Sequence, residues 1–226
     1  VFSNGMDKGV RIGPATGNVE DMTTFEQFYD AYKKQMDYAI QLLVNADNAI
    51  DMAHAERCPL PFLSSMVDDC MKVGKTVQEG GAVYNFTGPQ GFGVANMADS
   101  LYSVKTLVYE KKITMGELKE ALATNYGKGL GAEDVAAMTA KIANELKEAG
   151  KTIGEKEVAA ILNTVVAASE APEVKANGER ILKLIEEVPK FGNDIPEVDA
   201  FARDVAYTYT EPLQNYKNPR GGSFQA

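Results

Sequence analysis

The chain lacks tryptophan, carries one histidine and two cysteines in 226 residues, and holds no apolar run near the ~20 residues a membrane-spanning helix needs. Each scarcity removes a class of function. His54 alone would have to serve any histidine-based metal site or Ser-His-Asp triad, and no flanking carboxylate or serine pattern supports either. It reads as a helix-surface residue. Cys58 and Cys70 stand outside any CxxC pair and away from ligand-rich clusters, so both read as reduced thiols. Basic residues are the minority, 23 Lys and Arg against 32 Asp and Glu for a formal charge of −9, a balance that repels phosphate backbones and anionic lipid. The opening VFSNGMDKGVRIG has no signal-peptide order, which leaves the cytosol as the expected location.

What is present is enough for a sizeable core. Hydrophobic residues make up 45% and charged residues 24%, which excludes a disordered or collagen-like chain. The chain starts at Val1 instead of a methionine and closes on NPRGGSFQA, where Gly221, Gly222, Ser223 and Phe224 read as a turn leading into a further strand. Both ends suggest a piece of something longer.

Residues 1–22, rich in Gly, Asn, Asp and Pro without periodicity, read as a loop. Thr24 and Gln27 form a capping box, after which Phe25, Phe28, Tyr29, Tyr32, Met36, Ile40, Leu43 and Ile50 recur at helical steps. The spacing predicts a long amphipathic helix ending before Pro59, its aromatic and Met stripe a packing face rather than a cofactor site. CPLPFLSSMVDDCMKVGK predicts one short helix closing at Gly74. Ala82 to Phe86, small, β-branched and aromatic between glycines, predicts a short buried strand. GPQGFG follows, then a helical pattern from Val94 to about Lys111.

A strand, a glycine-rich turn and a helix make half of a parallel β/α unit, and ligands collect at strand C-terminal ends in such folds. A phosphate cradle is one reading of GPQGFG, but the P-loop requires a Lys followed by Ser or Thr where Val94 and Ala95 stand. The other reading is a tight turn from which Gln90 or Asn85 presents an amide to a pocket. Thr114 and Glu117 form a second capping box opening a short helix through Leu122. Residues 132–149, 155–169 and 173–188 read as three Ala-, Glu- and Lys-rich surface helices, with Thr152 and Glu155 as a third box. A last helix is predicted from about Pro196 to about Tyr216, with Val198, Phe201, Ala202, Val205 and Tyr209 on one side. Asp68, Asp69, Asp99 and Glu110 all fall on predicted helices, so no pair of them reads as acid and base, and Asp99 is expected to face solvent or a lysine.

Seven stretches in order resemble one family. They are the early NG with GPATGN, FEQFYDAYKKQMDYAI, CPLPFLS, EGGAVYNFTGPQGFGVANMADSLYSVKTLVYE, ITMGELKEAL, PKFGNDIPEVDAFA and YKNPRGGSF. Together they are similar to the glycyl radical enzymes related to pyruvate formate-lyase, in the branch of diol and hydroxyproline dehydratases and choline lyase. The resemblance implies an α/β fold, mostly helical: all of 1–226 would be a sector of a ten-stranded barrel domain, with about 127–177 an inserted helical subregion.

It also implies the chemistry. A thiyl radical takes a hydrogen atom from a substrate carbon, a carboxylate acts as base, and a hydroxyl or amine leaves. The family's radical cysteine motif, Gly-Cys-x-Glu, and its glycine motif, RVxGY, are absent from this sequence. The resemblance therefore gives no catalytic residue here and no metal, and it implies an isolated chain that is inert. Its cofactor would be a glycyl radical on another segment, installed by a radical S-adenosylmethionine activating enzyme. The expected partners are a small polar substrate, the remainder of the barrel, that activating enzyme and a second subunit, with location in the cytoplasm or a bacterial microcompartment. Gln90 is the leading substrate contact the resemblance carries over; Tyr84 and Asn85 follow, with the satisfaction of strand-end backbone groups as their plainer role. A formate acetyltransferase fragment and a non-catalytic helical interaction module are the alternatives.

Overall fold

The computed structural model describes residues 1–7, 10–128, 156–160, 162 and 171–226. The chain forms two compact units, Val1–Tyr102 with Pro189–Ala226, and Ser103–Val188. Most of the described residues are helical. Among them the only ladder is the two-residue antiparallel pair β1 (Met6–Asp7) and β2 (Val10–Arg11), inside the stretch expected to be loop.

The first unit is organised by α1 (Phe25–Arg57), which begins and ends as its signals require. The Gln27 N–H donates to the Thr24 hydroxyl, and the Gln27 carboxamide oxygen accepts from the Thr24 N–H. Phe28, Tyr32, Ile40 and Val44 are buried on one face. Steps of three and four residues place Phe25, Tyr29 and Tyr32 in a stack with ring centroids 5.7 Å apart at each step. From α7 (Pro196–Leu213), Phe201 lies 5.9 Å from both Phe25 and Tyr29. Further along, Ile40 and Val44 meet Leu213 and the fully buried Phe224. Ile50, expected on this packing face, is 52% exposed. A helix of 33 residues runs about 50 Å, whereas the 18 residues of α7 reach about 27 Å and cover only part of it.

The helix expected to close at Gly74 is two short ones, α2 (Pro61–Ser65) and α3 (Cys70–Val73). Asp69, at φ +71, breaks the run between them. The Ser64 hydroxyl donates to the Leu60 carbonyl at 2.7 Å and accepts from the Val77 N–H at 3.0 Å, which fastens the end of α2 to the following segment. Cys70 is buried and Cys58 exposed, both as free thiols.

Residues 82–86 do not form the expected buried strand. Only Thr87 makes a bridge, a parallel one to Phe224, and Val83, Tyr84 and Phe86 are exposed. An apolar strand is stable only where neighbours take its N–H and C=O groups and cover its faces, and among the described residues the C-terminal turn supplies a single such neighbour. The helix expected from Val94 to about Lys111 is α4 (Val94–Val104), continued by a wider π-helical turn over Lys105–Tyr109.

In the second unit α5 (Met115–Ala123) opens with the predicted box: the Glu117 N–H donates to the Thr114 hydroxyl at 3.1 Å, and the Thr114 N–H to the Glu117 carboxylate at 2.7 Å. α6 (Pro172–Glu187) is the third of the predicted surface helices and buries Ile181 completely. Its Arg180 donates to the other oxygen of Glu117 at 2.7 Å, so one carboxylate both caps α5 and ties α6 to it. The predicted helix 132–149, most of 155–169, the Thr152 box and most of the 127–177 insertion lie outside the described residues.

Candidate functional site

The site is built around the segment 80–94 of the first unit. The C-terminal chain folds back there as a tight turn, in which the Asn218 N–H donates to the Gly222 carbonyl at 3.0 Å. Lys217 and Ser223 pair across it. The Thr87 N–H donates to the Ser223 carbonyl at 3.0 Å, and the Gln225 N–H donates to the Thr87 carbonyl at 2.9 Å. Gly222 passes so close that a Cβ there would collide with the Asn85 carbonyl. GGSF is thus a turn running into a strand-like contact, as its sequence predicts.

Three side chains lock this contact. Asn218, buried, donates from its amide to the Asn85 carbonyl and at 2.9 Å to the Thr87 hydroxyl, and its amide oxygen accepts from the Gly222 N–H at 2.8 Å. Arg220 donates from Nε to Asp51 of α1 at 2.9 Å. A terminal nitrogen of the same guanidinium reaches the Phe86 carbonyl at 3.3 Å and the Thr87 hydroxyl at 3.1 Å. Both members of the Arg220–Asp51 pair are 19% exposed, so water screens them less than a surface pair. One turn before Asp51, burial first and then the Asp51 charge push the Asp47 carboxyl above the ordinary carboxylate range.

Beyond this clasp the GPQGFG loop lies over α1 and α7. Between them is a cleft of about 380 Å³, walled by Tyr32, Met36, Ile40, Val205 and Tyr209, with Gln90 and Phe92 at the loop side. Gly91 lies on the Tyr209 ring; a Cβ at this position would stand 3.0 Å from two ring carbons, so a side chain here would press the ring aside by a few tenths of an ångström. Gly93 accepts the Met97 N–H at 2.9 Å and starts α4. Among the described residues no carboxylate, lysine or arginine lines the cleft. Burial raises the Tyr32 and Tyr209 hydroxyls above the ordinary tyrosine range, so both walls stay neutral near pH 7.

The three predicted contacts do not converge. Gln90 borders the cleft, is exposed, and makes no hydrogen bond to the described residues, so its amide is available in both senses, donor and acceptor. The Asn85 amide donates to the Gly80 and Ala82 carbonyls at 3.3 and 2.8 Å, which is the plainer, backbone-satisfying role, while its own oxygen is buried with no partner among the described residues. Tyr84 is 83% exposed and does not line the cleft. Asp68 and Asp69 sit in the break between α2 and α3 instead of on a helix. Asp99 accepts the Phe191 N–H at 2.8 Å and so anchors the turn before α7. His54 is on the exposed side of α1. Among the described residues no three His, Cys, Asp or Glu side chains gather in a metal-binding group, and no helix is long and apolar enough to cross a membrane. Asp51, Asn218 and Arg220 were not singled out by sequence reasoning, although two of them stand in YKNPRGGSF.

The profile of the pyruvate formate lyase-like family matches residues 1–226. A solved structure concerned with 1,2-propanediol dehydration in Roseburia inulinivorans is 54% identical, with a TM-score of 0.87 over all of this chain and 27% of that one. The B12-independent glycerol dehydratase from Clostridium butyricum, solved with glycerol bound, is 43% identical, with a TM-score of 0.71 over 99% of this chain and 22% of that one. The (2S)-3-sulfopropanediol dehydratase of Klebsiella oxytoca is 27% identical over 97% of this chain. The chain belongs to the pyruvate formate lyase-like family, and the relatives it matches include glycyl radical dehydratases. It spans 21% of the length of the Klebsiella dehydratase.

Proposed function

We propose that this chain is a section of a glycyl radical dehydratase that removes a hydroxyl from a small neutral polyol, with Gln90 as a substrate contact. The observation that carries the reading is the free amide of Gln90 at the edge of a wall without formal charge. Such an amide donates to one hydroxyl and accepts from another, and its neutrality suits a diol better than a charged substrate. The likeness to proteins named for 1,2-propanediol and glycerol dehydration supports the same class.

In this reading the clasped segment 80–94 belongs to the barrel interior of the whole enzyme, and the apolar side chains Val83, Phe86 and Phe92 help exclude water from the reacting carbon. The reaction itself begins at a cysteine thiyl radical drawn from a glycyl radical, both on other segments; the radical is installed by an activating enzyme. The section by itself is catalytically silent, and the complete protein is a cytoplasmic homodimer. The test is kinetic: in the complete, activated enzyme Gln90→Ala raises KM or lowers kcat by about tenfold or more, the loss expected when a hydrogen bond to a substrate hydroxyl is removed. Wild-type constants for that variant would take Gln90 out of the site.

A further inference from the structure

Arg220 hydrogen-bonds both to α1 and to the extended segment bearing Gln90. Its Nε holds Asp51, and its terminal nitrogen holds the Phe86 carbonyl and the Thr87 hydroxyl. Thr87 is also the sole bridge residue of this segment, with its hydroxyl shared by Asn218. From Thr87 only two residues lead to Gln90, so the direction in which the Gln90 amide leaves the backbone is set at this point. Val83, Tyr84 and Phe86 are exposed, so packing within this chain does little to fix the segment.

We infer that Arg220, anchored by Asp51, is a positioning residue that sets the register of Thr87 and thereby aims Gln90 at the substrate. This rests on the reading of Gln90 as a substrate contact. A guanidinium is required because the task is planar and forked: one edge on a carboxylate of α1, the other on a carbonyl and a hydroxyl of the segment. A lysine keeps the charge opposite Asp51 but offers a single point, so it cannot hold both sides at once.

The complete enzyme, with glycerol and 1,2-propanediol as probe substrates, gives two separate readings. By amide hydrogen exchange, Arg220→Lys and Asp51→Asn each speed exchange at residues 84–91 by about tenfold, while α5 and α6 exchange at wild-type rates. Unchanged exchange at 84–91 in both variants overturns the inference whatever Gln90 does. By kinetics, Arg220→Lys raises KM by about tenfold with kcat per folded molecule little changed, a misplacement effect. Gln90→Ala raises KM too, and the double variant is no worse than the poorer single one, because both act through the same contact. If Gln90→Ala raises KM while Arg220→Lys does not, or if the two effects multiply in the double variant, positioning through Gln90 is refuted and the substrate contact stands. If Gln90→Ala behaves as wild type, the substrate reading itself fails, and the inference falls with it.

Discussion

The α1–α7 pair and the segment from α2 to the GPQGFG loop both carry large apolar side chains, with opposite fates. In the pair and the C-terminal ring packed into it, Phe28, Ile40, Val198, Val205, Leu213 and Phe224 are nearly or completely buried. In the segment, Phe62 is 79% exposed, Met71 75% and Phe92 92%, with Leu60, Met66 and Val83 also uncovered. Two helices that share a face satisfy each other within one chain. A strand-like segment and two helices of four or five residues do not. Exposed apolar surface of this kind marks a place where something else packs; under the proposed function that cover is the rest of the enzyme.

The contrast is sharpened most by truncating one aromatic from each region. Phe224→Ala should cost about 3–5 kcal/mol by urea unfolding, since a fully buried ring leaves both its transfer energy and a cavity. Phe92→Ala should change the isolated chain by less than about 0.5 kcal/mol, the usual range for an exposed position. In the complete enzyme the same substitution should cost about 2 kcal/mol or more, because the ring is then covered. Equal costs in both settings would break the comparison. The isolated chain should also self-associate through this face, read as concentration-dependent light scattering that Phe62→Ser with Phe92→Ser relieves.

A middling effect is expected at the α5 box. Thr114→Ala should destabilise the second unit by about 1 kcal/mol. Hydrogen bonds from Thr114, ahead of the Arg180 charge, hold the Glu117 carboxyl below its ordinary value of 4.5. A depressed folded value means the stability Glu117 adds is present above pH 4.5 and is lost as pH falls through the lowered value. Thr114→Ala removes the hydroxyl's bond to Glu117 and keeps the backbone one, so it should reduce that acid-side decline in Tm without abolishing it. An effect confined to alkaline pH lies at Tyr29, where burial, then Tyr32 and Asp204, push the hydroxyl up to about 12. The folded state holds that proton more tightly, so stability should fall as pH rises from 10.0 to about 12. Tyr29→Phe should remove this part of the slope.

What the sequence reveals follows from how local each determinant is. The boxes Thr24–Gln27 and Thr114–Glu117, the end of α1 before Pro59 and the start of α7 at Pro196 depend on residues within one turn, and all are present. The break at Asp69 is local too, but VDDC carries no proline or glycine to announce it. The strand expected at 82–86 depends on neighbours far along the chain, and periodicity cannot supply them. Gln90 was singled out by the family resemblance; it borders the cleft, and its contact with a substrate belongs to the proposal. Arg220 and Asp51 are separated by 169 positions, so the clasp could be found only after folding.

The measurement closest to the central claim is a crystal structure of the complete enzyme with 1,2-propanediol or glycerol bound. The account predicts the Gln90 amide at about 2.8–3.2 Å from a substrate hydroxyl, with Thr87 still held by Arg220. A diol bound out of reach of Gln90, with the amide turned to solvent, would contradict it.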